Sequence, residues 1–487
     1  MRRSVVLLAL AAAAAASTPV AGAPPAAVDG LFDDWGSAPP ARTDAIGDGG
    51  RLDLVALWAR SDAERMTFRF TLAEEINLQG TEGLELRIES GPVADDGDES
   101  GCATELEWDF GARAGSLRTA SGARALRQSD IGLLQAPTVS SSAFEVSILR
   151  RLEDGTETVV ERDVRLVLAD GTTGGDRLPD TGAVELALSS EPPPPRPPVA
   201  LERRDAACIR ILTWNVLFDG LFKRPAPFLR VLRAIDPDVI CFQEIWSHTA
   251  RQAADQVSLA IPDAAWHGAH TADGLIVSRY PLLDARSIDE AGNYWALVDL
   301  PDDRFAVDLS IVSAHPPCCD NEVGRQEQLD GIAAWLRDLA GPGGPGVPRG
   351  TPTVVAGDMN LVGGANQLET LLAGAIVYEE TYGASRPADW DGTPLADADP
   401  RHAGGAENYT WRSAKDSFAP GKLDYIVFSD SVLELGNAFV LATEELGRAD
   451  LERYGLRRND TLEASDHLPV VADLTPIGER SGRAAVE

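Results

Sequence analysis

The stretch Thr353-Val354-Val355-Ala356-Gly357-Asp358-Met359-Asn360 is an apolar run that stops at a glycine and two ligand-capable side chains. Val354 and Val355 suit a central strand, and Gly357 removes a side chain where something must come close. Asp358 and Asn360 are two apart, so an extended backbone points both the same way and offers one carboxylate and one amide to one site. By itself an Asp-x-Asn after a strand is more often a turn. The same pattern recurs, however: Asn215, Glu244, His315, Asp424, and Asp466 with His467 each stand where an apolar run ends. Side chains at strand ends can converge on one sheet edge.

The elements that must position them follow from periodicity. After about residue 206 the chain alternates strands and helices, with strands expected at 208–215, 238–244, 274–278, 294–300, 305–313, 353–356, 423–428 and 470–474. Helices are expected at 227–235 and 322–339; the second carries Leu329, Ile332, Leu336 and Leu339 at helical spacing and stops at Gly341-Pro342. This is an α/β layered domain. Residues 28–188 read differently. Segments 66–72, 83–89, 105–110, 144–149 and 164–168 alternate apolar and polar residues as half-buried antiparallel strands do, which predicts an all-β sandwich. Between the two lies Glu191-Pro192-Pro193-Pro194-Pro195-Arg196-Pro197-Pro198, the composition of an extended semi-rigid spacer.

Met1-Arg2-Arg3 followed by an apolar stretch and small residues through Ala23 is a secretory signal peptide, so the mature protein is expected to be secreted or periplasmic. No run approaches the roughly 20 apolar residues of a membrane-spanning helix. Removal of the signal leaves about 460 residues, more than one core usually organises. The expected organisation is therefore signal peptide 1–23, β-sandwich 24–190, linker 191–205, α/β domain 206–476 and a polar tail 477–487, as a monomer. With 76 acidic against 43 basic residues the formal charge is −33, and the only lysines are Lys223, Lys415 and Lys422. Such a surface repels polyanions and counts against a protein that coats nucleic acid. It does not exclude a nuclease, because a bound divalent cation inverts the local field. Five cysteines (Cys102, Cys208, Cys241, Cys318, Cys319) leave at least one unpaired. Cys241 lies in an apolar strand and reads as a buried hydrophobe. Neighbours such as Cys318 and Cys319 fall outside usual disulfide geometry, so pairing of one of them with Cys102 or Cys208 is the alternative.

Taken in order, Thr213-Trp214-Asn215, Gln243-Glu244, Ser313-Ala314-His315, Gly357-Asp358-Met359-Asn360, Leu423-Asp424-Tyr425-Ile426 and Ser465-Asp466-His467 resemble the endonuclease/exonuclease/phosphatase superfamily of metal-dependent phosphoesterases. The resemblance spans residues 208–475. It implies a four-layer α/β sandwich, two packed sheets flanked by helices, preceded here by the all-β sandwich domain. It also implies hydrolysis of a phosphoester with Mg²⁺ or Mn²⁺, whose charge offsets that of the phosphate. In its terms Asn215, Glu244 and Asp466 hold or support the metal through hard oxygen donors. Asp358 orients or deprotonates the attacking water, Asn360 and His315 donate to the phosphoryl group, and Asp424 polarises His467, the general base or phosphate stabiliser. Arg279 and the run Asn408-Tyr409-Thr410-Trp411 sit where such proteins carry substrate-side residues. His248, His267, His270 and His402 read as surface or loop residues, and Arg325 and Gln326 as surface residues of the second helix.

A nuclease is the first expectation for substrate, followed by a sphingomyelinase-like or small-molecule phosphoesterase. Inositol phosphatases carry a Pro-x-Trp-Cys-Asp-Arg stretch where this chain has Ala419-Pro420-Gly421-Lys422-Leu423-Asp424, which sets that branch aside. Lys422, where the abasic-site enzymes carry arginine, weakens a close link to them. The insertion Pro316-Pro317-Cys318-Cys319-Asp320 follows the candidate catalytic His315, has no mechanistic reading from the sequence, and is expected to shape the mouth of the pocket. The opening of the first domain, Val28 to Trp35 with Asp44, Asp48 and Asp53, resembles the β-sandwiches related to family 9 carbohydrate-binding modules. That resemblance implies a polysaccharide or surface ligand and a structural Ca²⁺ on the three aspartates; the run Asp95-Asp96-Gly97-Asp98-Glu99 is the other acidic loop. The rival of a different class is a glycan-binding protein with a non-catalytic phosphoesterase-like scaffold.

Overall fold

The computed structural model describes residues 27–91, 104–160, 164–205, 207–342 and 344–477. The expected signal peptide, Cys102, the run 95–99 and all but the first residue of the expected polar tail lie outside the described residues. Among the described residues no helix is long and apolar enough to cross a membrane.

The alternating segments of the first part form two antiparallel sheets, of five and seven strands. Arg65–Ile76, Leu84–Ser90, Thr104–Asp109, Ser141–Leu149 and Val164–Asp170 contain the strands read from the pattern. Their inward residues, among them Phe68, Phe70 and Phe144 from one sheet and Leu86, Leu106 and Trp108 from the other, make one core. Residues 191–205 carry no helix or strand.

The later part has two more sheets. One runs through Leu275–Ser278, Val239–Gln243, Ile209–Asn215 and Val470–Pro476; the other through Tyr294–Val298, Leu309–Ala314, Thr353–Asp358 and Asp424–Phe428. They pack face to face: Ile209, Ile211, Val239 and Cys241 meet Ala296, Ile311, Val354 and Ile426. On the outer faces, Phe228, Val231 and Val257 of Pro225–Ile235 and Ala250–Ala260 cover Trp214 and Phe242. Leu329, Ile332 and Leu336 of Glu322–Arg337 cover Val312, Val355 and Val427. The result is helix, sheet, sheet, helix. Buried on both faces, the central strands read as continuous apolar runs, as two-sided burial demands. The stretch 305–308 differs from expectation: it is a turn whose Asp308 carboxylate accepts the Leu300 N–H, so the strand begins at Leu309.

Topology fixes which strand ends meet. Ile209–Asn215 pairs parallel with Val239–Gln243, and Leu309–Ala314 pairs parallel with Thr353–Asp358. Each parallel pair is joined by a helix-containing crossover, so Asn215, Glu244, His315 and Asp358 lie at the C-terminal end of their sheets. Asp424 and His467 open or precede strands running the other way, which brings their N-terminal ends to the same edge. Register is pinned by the buried cross-strand pair Arg210 and Asp473, with bonds of 2.6 and 2.8 Å. A slip of one residue would turn Asn215 to the opposite face.

Three expectations about side chains are corrected here. His402 is buried, not on the surface: Nδ1 faces Glu445 Oε1 at 2.9 Å and Nε2 faces the Tyr409 carbonyl at 2.8 Å. Two acceptors on one ring call for an imidazolium. Arg325 and Gln326 are buried as well; Arg325 donates to Gln367 and to the Pro317 and Cys319 carbonyls, and Gln326 to Asp330 and Thr370. Cys318 bonds to Cys319, its neighbour, at a Cα separation of 3.8 Å. Cys319 takes a left-handed φ of 62°, a bend that ordinary extended neighbours lack. Cys208 and Cys241 are free and buried.

Although burial alone would lower it, Glu445 raises the His402 pKa, and Glu445 is itself held below its ordinary value by His402 despite its own burial. The pair therefore stabilises the fold fully below the ordinary histidine value of 6.5 and loses that contribution as pH rises through the raised folded value. On the acid side the contribution of Glu445 is present above 4.5 and fades as pH falls below it. His402→Phe is expected to cost about 3 kcal/mol. Thermal melts should show a larger deficit at pH 6 than at pH 10.

Candidate active site

Asp358 is the centre of the edge. Its Oδ2 receives the Asn215 amide N–H at 3.1 Å and faces His315 Nε2 at 3.4 Å and His467 Nε2 at 3.5 Å. The first comes from one sheet and Asp358 from the other, so the cluster bridges the sheets. Burial would raise the Asp358 carboxyl, but His467 and His315 together hold it down to about 2. It is an anion at any physiological pH.

Both imidazoles lie between carboxylates. His467 Nδ1 is 2.8 Å from Asp424 Oδ2, and His315 Nδ1 bonds to Asp273 Oδ2. Each ring thus bonds one carboxylate through Nδ1 and turns Nε2 towards Asp358. Burial works against the charge, yet Asp424 and Asp358 raise His467 to about 9. His315 is likewise raised well above 6.5 by Asp273 and Asp358 against its burial. Burial pushes Asp424 up to about 6 against the pull of His467, and its Oδ1 has no hydrogen-bond partner. Thr410 fixes this carboxylate: its hydroxyl donates to Asp424 Oδ2 at 2.7 Å and accepts the Leu423 and Asp424 N–H groups.

Glu244 bonds Asn215 directly, and Asp466 is tied to it through Ser465. Glu244 Oε1 accepts the Asn215 amide at 3.2 Å, and Ser465, adjacent to Asp466, donates to the Asn215 carbonyl at 2.8 Å. Asp466 Oδ2 accepts the Trp411 indole N–H at 3.1 Å. Both carboxylates are half-buried, as a site open to water requires. This donor set, two carboxylates beside an amide, fits a hard divalent cation that keeps water ligands. A tight buried trio is also present: donor atoms of Asp358, Asp424 and His467 lie within 4.8 Å of one another. Asn360 Nδ2 donates to the Pro316 carbonyl at 3.0 Å, which braces the insertion after His315.

All eight residues expected from the sequence therefore lie along this edge, and Thr410 and Trp411 join them. Arg279 does not. Leu275–Ser278 runs antiparallel to Val239–Gln243, so its C-terminal end lies beside the start of that strand, away from Glu244. There Arg279 pairs with Asp236 and donates to the Pro237 carbonyl. The same antiparallel pairing identifies a residue the sequence reading missed. Asp273, just before Leu275, falls at the Glu244 end, where it accepts the Glu244 N–H at 2.8 Å and binds His315. An acid beside the start of an antiparallel strand was the available signal, legible once the pairing direction is known.

The loops are held in unusual conformations. Leu217, Phe218 and Asp219 have φ of 49°, 53° and 60°, and Glu244 has 63°. None is glycine, and each such residue costs on the order of 1–3 kcal/mol unless its surroundings over-determine it. Here they do: the Leu217 N–H donates to Asn215 Oδ1 at 3.0 Å and the Phe218 N–H to Glu244 Oε2 at 2.7 Å.

A model of the Endonuclease/Exonuclease/phosphatase family matches residues 212–467, more than half of the chain. Among solved structures the chain is similar to D. rerio TDP2 complexed with single strand DNA product, at 17% identity over 56% of this chain and 100% of that one, TM-score 0.34. It is similar to ANGEL2, a 2',3'-cyclic phosphatase, at 17% identity over 56% and 97%, TM-score 0.39. An AP endonuclease from Archaeoglobus fulgidus aligns at 15% identity over 54% and 98%, TM-score 0.35. No curated protein matches the sequence.

Because Asp273 orients His315 through one ring nitrogen, Asp273→Asn should lower kcat roughly 10- to 100-fold, the usual range for losing an orienting partner. KM should change little. Steady-state kinetics on a chromogenic phosphodiester separates the two.

Proposed function

The chain belongs to the Endonuclease/Exonuclease/phosphatase family, whose members are divalent-metal-dependent hydrolases of phosphoester bonds, and from that premise we propose a secreted phosphodiesterase acting on nucleic acid. The observation that carries the hydrolytic reading is the Asp358 carboxylate, set between the His315 and His467 rings at the edge shared by both sheets. Glu244, Asn215 and Asp466 would hold Mg²⁺ or Mn²⁺, which when bound would supply charge to offset the phosphate and to steady the leaving oxygen. The residues do the rest. Asp358 accepts a hydrogen bond from the attacking water and directs its lone pair. The Nε2 edges of His467 and His315, which face Asp358 at 3.5 and 3.4 Å, are placed to donate to phosphoryl oxygens, which favours the stabiliser role over the base role for His467. Asn360 has one amide N–H on Pro316 and a second left for the phosphate.

Export is supported by the basic, then apolar, then small-residue order of positions 1–23. The domain boundaries proposed remain 24–190, 191–205 and 206–476. Purified mature protein should nick supercoiled plasmid with Mg²⁺ and stop with EDTA. Asp358→Ala and His467→Ala should each lower the rate by about 10²–10⁴. Hydrolysis of a small chromogenic phosphodiester without nicking would keep the site and reject nucleic acid as substrate.

For the sandwich we propose a polysaccharide or surface ligand and a structural Ca²⁺. Two aspartate trios support the ion, Asp44 with Asp48 and Asp180, and Asp48 with Asp53 and Asp176. Asp44 Oδ2 and Asp53 Oδ1 are shielded from solvent without a partner, as cation ligands would be. Calcium at 100 times its Kd should add about 2.7 kcal/mol. The corresponding rise in melting temperature should be absent in Asp53→Asn and unaffected by Mg²⁺ at equal concentration.

A further inference from the structure

Two aromatic side chains stand outside the core beside the candidate metal carboxylate. Phe218 is 53% exposed and Trp246 47%, whereas Trp214, Phe228, Phe242 and Trp295 of the same domain are buried. The two rings lie 5.2 Å apart at 54°. Their position is built, not incidental. Phe218 sits in the middle of the left-handed run 217–219, which contains no glycine, and its N–H is bonded to Glu244 Oε2. The buried Asp219 carboxylate accepts the Trp246 N–H at 3.0 Å and the Ser247 N–H at 3.1 Å, and faces His248 Nδ1 at 3.2 Å. The loop after the first strand and the loop after the second are thereby clamped together, and what the clamp presents to solvent is the ring pair.

A turn that had only to connect would use glycine at such φ values. Here the strained backbone holds an apolar ring outward, and backbone strain of this kind collects at ligand sites. The Phe218 amide donates to the Glu244 carboxylate proposed above to hold the metal, so the ring stands beside the proposed reacting centre. A base offers a flat π-face to such a ring whatever its sequence. A lipid surface fits less well. Interfacial binding needs a wide apolar face or a basic one, whereas this knob is two side chains wide, is bordered by Asp219, Glu244 and Ser247, and sits on a chain of charge −33.

We infer that Phe218 and Trp246 form a stacking subsite for the nucleobase adjoining the scissile phosphodiester, an inference that rests on the nuclease reading above. The test uses the full mature protein with Mg²⁺ and single-stranded hexanucleotides having one ordinary linkage among nuclease-resistant ones. That linkage is flanked either by a base or by an abasic tetrahydrofuran spacer, and kcat/KM is measured for each. Wild type should favour the base-bearing substrate by about 10-fold, the size of one base–aromatic stack. In the double variant Phe218→Ala, Trp246→Ala, the loss on the base-bearing substrate should exceed the loss on the spacer substrate by the same factor. Phe218→Tyr with Trp246→Tyr, which keeps both rings, should retain the preference and shows that a folded platform is being read. Equal losses on both substrates, or no base preference in wild type that still cleaves them, overturn the subsite and leave the nuclease reading standing. Cleavage of neither hexanucleotide by protein that still hydrolyses bis(p-nitrophenyl) phosphate overturns the subsite, and the nuclease reading falls with it when supercoiled plasmid is not nicked either. Binding to sphingomyelin–phosphatidylcholine vesicles that the double alanine variant loses, with no base preference, assigns the rings to lipid and likewise overturns the inference.

Discussion

The structure around the site depends on burying one carboxylate between two imidazoles. An isolated buried Asp358 would pick up a proton, because removing a charge from water is far more costly than neutralising it. His315 and His467 prevent that, and each is itself raised by two carboxylates, Asp358 in front and a second behind it, Asp273 for one and Asp424 for the other. The chain of charges therefore alternates in sign from one sheet to the other. Thr410 and the Glu244 backbone supply the hydrogen bonds that hold the outer carboxylates in place.

That alternation needs the ends of five strands to meet within a few ångströms, and the packing core provides the rigidity. Strands buried on both faces cannot shift register without turning apolar residues to the wrong side. The Arg210–Asp473 pair adds a polar constraint within the same sheet, at the end remote from the site. Loops at the working edge are then free to carry strain, as at Leu217 to Asp219 and at Glu244, because the strand ends and their side chains over-determine them.

The β-sandwich bears on this edge through contacts to its loops. The Ser140 N–H donates to the Gly363 carbonyl at 2.9 Å and Asn77 to the Val362 carbonyl at 2.7 Å, both just beyond Asn360. Gln128 donates to the Ser413 carbonyl at 2.8 Å, and the Ala419 N–H donates to Gln79, on either end of the segment after Trp411. The proline-rich connection thus joins two bodies that also touch directly, and the sandwich supports loops on which Asn360 and Thr410 depend.

The local order was legible in the sequence because it rests on local causes. Continuous apolar runs marked strands buried on both faces, alternation marked the sandwich, and a polar residue at the end of each apolar run marked every member of the Asp358 cluster except Asp273. Strand direction was not legible, since it depends on which strands pair. That is why Arg279, at the far end of an antiparallel strand, was placed at the site and Asp273, at its near end, was missed. Burial of His402 and Arg325, whose partners are distant in sequence or are backbone carbonyls, and the bond between Cys318 and Cys319, which depends on a left-handed bend, had no pattern to announce them. The sequence determined which side chains could do the chemistry; only the tertiary structure decided which of them meet, because meeting depends on register and direction between strands whose paired residues, such as Arg210 and Asp473, are 263 apart.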